Sequence, residues 1–133
     1  VAEAPKEEAF AAAAEWKMTL AQPLPAGVSN VWLDVDYTGD IGRLYLGDTL
    51  VDDDFFHGVP WEIGLKRFLP DLGKSEIHLQ ILPLRADAPI YLDPGVRSKL
   101  PQQGQVAVLN RTVIRPEYEV VVALGVSGEL TNR

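Results

Sequence analysis

Val31-Trp32-Leu33-Asp34-Val35-Asp36-Tyr37 is the stretch on which the reading of the fold turns. Its apolar residues recur with a period of two, so Val31, Leu33, Val35 and Tyr37 point to one side of an extended strand and Trp32, Asp34 and Asp36 to the other. One face is core; the opposite face is wet or covered. Working outward, Thr38-Gly39-Asp40 is turn chemistry, Leu44 and Leu46 alternate with Arg43 and Tyr45, and Gly47-Asp48 marks a hairpin turn whose returning arm begins at Thr49. Trp61, Ile63 and Leu65 continue the alternation, as do Ile77, Leu79 and Ile81. Such short runs, punctuated by glycine, proline and aspartate, predict an all-β antiparallel β-sandwich.

The flanks are less regular. Pro5, the acids after it and the alanines at 11–14 predict a short N-terminal helix or a flexible lead-in over residues 1–14. It should yield to a strand by about Glu15, because Trp16, Met18 and Leu20 alternate with Lys17 and Thr19. Residues 83–105 contain Pro83, Pro89, Pro94 and Pro101 and read as a long excursion with one edge strand at Ile90-Tyr91-Leu92. Residues 106–114 and 118–126 read as two closing strands broken at Arg115-Pro116, and residues 127–133 as a frayed tail. All of this fits a single domain over residues 1–133.

Composition narrows the function classes. The chain has 133 residues, 47% of them hydrophobic, and no cysteine, which removes disulfides, thiolate metal sites and a cysteine nucleophile. Its net charge of −7 repels phosphate backbones, so nucleic acid is not an expected partner. No apolar run approaches the roughly 18 residues of a membrane span, and the acidic opening does not read as an export or transit leader. An eightfold α/β barrel needs about 250 residues and cannot be built from this chain.

The candidates for chemistry are few. Asp34 and Asp36 lie about 6.5–7 Å apart on one strand face, close to the separation of an inverting glycosidase pair. A flat sheet face, however, supplies neither the cleft nor the pKa difference such a pair requires, and solvated carboxylates are the expected outcome. Asp52, Asp53 and Asp54 read as part of a loop over residues 52–60. A calcium site there is less favoured than a solvated acidic turn, because the ligand spacing of known calcium loops is missing. No cofactor and no metal is therefore assigned. His57 and His78 have no paired ligand spacing. With no nucleophile elbow, phosphate loop or dinucleotide fingerprint, no catalytic residue is expected. The aromatic residues carry the sharper suggestion. Trp61, Phe55, Phe56 and His57, bordered by Asp54 and Arg43, could form a stacking platform for the apolar face of a sugar. The competing and stronger reading of Trp61 is that it opens a strand and points inward.

The segment 31–68, VWLDVDYTGDIGRLYLGDTLVDDDFFHGVPWEIGLKRF, resembles the C-terminal jelly-roll, galactose-binding-like region of bacterial β-galactosidases of glycoside hydrolase family 35. The similarity is carried by the apolar strand, Asp-Tyr-x-Gly-Asp, the hairpin, and the run from Phe55 through Gly58, Pro60 and Trp61 to Phe68. It implies an extracytoplasmic, noncatalytic accessory module of a glycoside hydrolase, which either packs against the catalytic domain or binds glycan. It transfers no binding residue, so the carbohydrate-binding set Trp61, Phe56, His57, Asp54 and Arg43 rests on side-chain chemistry alone. The alternative is a stand-alone structural or protein-interaction domain without sugar affinity.

Overall fold

The computed structural model describes residues 5–89 and 91–125. Among these residues nine strands run in the order β1 (Ala14–Met18), β2 (Val28–Thr38), β3 (Ile41–Leu46), β4 (Thr49–Phe55), β5 (Trp61–Gly64), β6 (Ile77–Leu82), β7 (Leu84–Arg85), β8 (Gln105–Val106) and β9 (Val108–Tyr118). They form a four-stranded sheet, β1-β6-β3-β4, a three-stranded sheet, β5-β2-β9, and a two-stranded ribbon, β7-β8, all antiparallel. The fold is the all-β sandwich that the period-two pattern requires. Val31, Leu33, Val35 and Tyr37 of β2 share one buried cluster with Leu44 and Leu46 of β3 and Ile77, Leu79 and Ile81 of β6. Residues of both sheets thus meet in a single core.

The link between β2 and β3 passes from one sheet to the other, and Gly39 makes the crossing. A Cβ at this position would lie 2.3 Å from Ile81 Cγ2 and 3.1 Å from the Leu82 carbonyl oxygen, so the chain can cross β6 only without a side chain. The next residue, Asp40, is fixed on both sides: its N–H donates to the Leu82 carbonyl (2.8 Å) and its carbonyl accepts from the Phe56 N–H (2.9 Å).

The N-terminal segment is a 3-10 helix, Glu7–Ala12, followed directly by β1. Phe10 buries itself with Ile41 and Leu82 on the outer side of the four-stranded sheet, so the helix covers part of the face that points away from the main core. The Arg43 guanidinium lies 3.7 Å from the centre of the Phe10 ring and binds both Glu7 carboxylate oxygens, at 2.8 and 2.9 Å. This stack and ion pair secure the helix against β3.

Four expectations are corrected. Residues 52–55 are not loop; they complete β4, and the reason becomes clear at the site below. Arg115-Pro116 does not interrupt a strand: β9 runs through it, with Val31 paired to Pro116, because β9 is an edge strand where a proline need not disrupt the ladder. The second closing strand is absent over residues 119–125, which follow β9 without joining a sheet. In the excursion over residues 83–105, the extended pieces are the β7-β8 ribbon; of the run at 90–92, Tyr91 and Leu92 join no strand and residue 90 lies outside the described residues, and a short helix (Pro94–Arg97) lies between β7 and β8. That helix is capped by the Asp93 carboxylate, which accepts from the Gly95 N–H at 2.8 Å. The tail at 127–133 lies outside the described residues.

The crossing at Gly39 yields a direct test. Gly39→Ala drives a methyl group into Ile81 and the Leu82 backbone and should destabilise the fold by about 1–3 kcal/mol, the usual cost of overpacking. Chemical denaturation measures this; an unchanged midpoint would mean that the crossing is looser than described.

Candidate functional site

The residues singled out from the sequence do not gather into one exposed surface. Trp61 and Phe56 are core residues, 5% and 9% exposed, and the Tyr37 ring meets both edge-on, with ring centres 6.1 and 5.6 Å apart respectively. Gly42 admits the indole, since a Cβ there would stand 2.8 Å from Trp61 Cζ3. Arg43, one position further along β3, points to the opposite face of its sheet and is held by Glu7 and Phe10. His57 is exposed, with Nδ1 2.9 Å from the Phe55 carbonyl oxygen. Phe55 is 61% exposed and lies away from its neighbour Phe56.

Asp52 and Asp54 explain why the second half of β4 is disguised in the sequence. Asp52 pairs with Leu44 and Asp54 with Gly42, so both aspartates occupy the inward-facing positions of an edge strand. There they serve the polar tips of buried aromatic rings. The Trp61 indole N–H donates to Asp52 Oδ2 at 3.0 Å, and the Tyr37 hydroxyl donates to Asp54 Oδ2 at 2.8 Å. A buried indole or phenol must find a partner, and a carboxylate at a half-open edge is a strong one. The acids are therefore structural acceptors. Similarly, Asp34 is bound by both Nε and Nη2 of Arg115 across the outer face of the three-stranded sheet, and Arg115 also reaches Glu62 at 3.4 Å. That ion pair holds the Asp34 carboxyl below its ordinary range. Among the described residues, no cluster of three or more acidic or histidine side chains has the arrangement of a metal site.

Several concave surfaces remain among the described residues. On the outer face of the four-stranded sheet an open groove of about 550 Å³ runs past Glu7, Glu15, Tyr45 and Gln80, with Gln80 donating to Glu15 at 2.7 Å. Beside the β7-β8 ribbon lies a more enclosed pocket of about 330 Å³. Its lining is mixed: Leu84, Leu100 and Pro101 are apolar, and Arg97, Ser98 and Gln102 are polar. A shallower depression of about 470 Å³ continues from it past Asp87, Gln103 and Gln105. Arg85, on the boundary, binds Asp87 through two hydrogen bonds of 3.0 and 2.9 Å. The pocket and the depression each have a volume that suits a small ligand. The sequence reading missed this region, and its one compositional signal is three glutamines within residues 102–105.

No family model, no curated protein and no solved structure matches this chain.

The clipped edge makes a pH-dependent prediction. Burial raises the carboxyl pKa of both Asp40 and Asp54, the latter despite its hydrogen bond from Tyr37. Each group therefore holds its proton to higher pH in the folded chain than in the unfolded one. Its stabilising contribution is complete below the ordinary value of 3.8 and is lost as pH rises through the elevated folded value. Asp40→Asn removes one such ionisation, so the variant should melt above the wild type at neutral pH, with the gap closing below pH 3.8. A pH-independent difference in Tm would contradict the assignment.

Proposed function

We propose that this chain is a noncatalytic β-sandwich module of a carbohydrate-processing polypeptide, of the β-galactosidase-like type that segment 31–68 resembles, working outside the cytoplasm. The observation that favours a module over a free-standing enzyme is the apolar run after β9. Val120, Val121, Val122 and Leu124 are 78–91% exposed, and burying one such side chain is worth about 1.5–3 kcal/mol. A contiguous solvated aliphatic segment suits a surface that packs against a neighbouring domain. The engagement of Asp34, Asp52 and Asp54 by structural donors supports the noncatalytic part, because acids clipped in this way are not poised for proton transfer. The same apolar run suits a protein-interaction domain with no sugar affinity, which is the second reading.

Two assays decide. The purified protein should show no hydrolysis of aryl-galactosides above buffer; turnover that survives repurification and vanishes on one carboxylate substitution would contradict the noncatalytic role. Titration calorimetry against galactosides and plant and host glycans should show heat with at least one of them. Silence across the whole panel would favour the interaction domain.

A further inference from the structure

We infer that the pocket beside the β7-β8 ribbon is a saccharide subsite that takes one pyranose unit of a neutral glycan, an inference that rests on the carbohydrate reading above. Three features converge there. The first is shape: a pocket of about 330 Å³ that opens into a depression of about 470 Å³ leaves room for one ring inside and a neighbouring unit outside. The second is the apolar part of the lining. Leu100 and Pro101 are not buried and offer aliphatic surface against which the C–H face of a pyranose can lie.

The third is the rim. The side chains of Gln102, Gln103 and Gln105 make no hydrogen bond within the described residues, so each amide offers both donors and an acceptor outward. They lie on the bend that leads into β8 and on β8 itself, tied to the end of β7 by the Ala86 N–H, which donates to the Gly104 carbonyl at 2.8 Å. Unpaired amides of this kind match hydroxyl groups, which also donate and accept. A bidentate Arg85–Asp87 pair lies at the same edge as a donor–acceptor couple, and Arg97 adds a guanidinium to the lining of the inner pocket. The Asp87 carboxylate disfavours an acidic sugar at the outer position. The groove on the outer face of the four-stranded sheet is a poorer candidate. There Gln80 is already bonded to Glu15, and Arg43 to Glu7.

The test compares the wild type with Gln102→Ala, Gln105→Ala and Gln80→Ala by calorimetry against neutral gluco-, galacto-, manno- and xylo-oligosaccharides, with Tm recorded for each. The glutamines of the turn are exposed, so their truncation should leave Tm unchanged. Gln102→Ala and Gln105→Ala should each weaken binding by about tenfold, the effect of one lost hydrogen bond at the upper end of its usual range. Gln80→Ala should bind as the wild type does. Binding that survives both turn substitutions would overturn the subsite while leaving the carbohydrate reading intact. A wild type that binds none of the oligosaccharides would overturn the subsite and the sugar affinity together.

Discussion

Two buried aromatic donors and the acids that receive them hold the sandwich shut along one side. Trp61 and Tyr37 belong to the three-stranded sheet, whereas Asp52 and Asp54 belong to β4, the edge of the four-stranded sheet. Both hydrogen bonds therefore cross from sheet to sheet, at the margin where β4 and β5 end their respective layers. The hydrophobic core presses the layers together but sets no particular register between them. Directional bonds from rings packed in that core do set one, and leaving either donor unpaired would cost about 1–3 kcal/mol in addition to the lost contact. The Phe56 N–H bonded to the Asp40 carbonyl strengthens the same margin.

This arrangement bears on function by subtraction. Three adjacent aspartates beside aromatic rings form a pattern that also serves catalysis, calcium binding and sugar stacking. Here the inward pair, Asp52 and Asp54, is occupied by ring donors, and the rings face the core. What the molecule leaves available lies elsewhere: the pocket and amide-rich turn at the ribbon, and the solvated aliphatic run after β9. One is concave and polar-rimmed; the other is extended and apolar. Both features fit the proposal of a module with one small-ligand site and one protein-packing surface.

Much of the fold was legible because β2, β3, β5 and β6 each place one face in the core, which writes period two into the sequence. The second half of β4 was illegible for the same reason in reverse, since its inward positions carry aspartates that satisfy ring donors instead of apolar side chains. At β9 the proline misled because its usual effect applies to central strands. Residues 119–125 misled because strand propensity without a partner strand makes no sheet. For the site, the sequence identified Trp61, Phe56 and Asp54 as unusual company, and they do share one region, but as core and clip. The glutamine turn carried no motif, and its proximity to Leu84 and Leu100 arises only once the ribbon closes.

The central claim is that Trp61 is a structural pillar whose ring and N–H lock the two sheets together. Equilibrium unfolding of Trp61→Ala tests it most directly. The claim requires a loss of about 3–5 kcal/mol, as for other buried aromatic truncations. A variant that unfolds at the wild-type midpoint would show that the indole is a surface platform and would contradict the architecture described above.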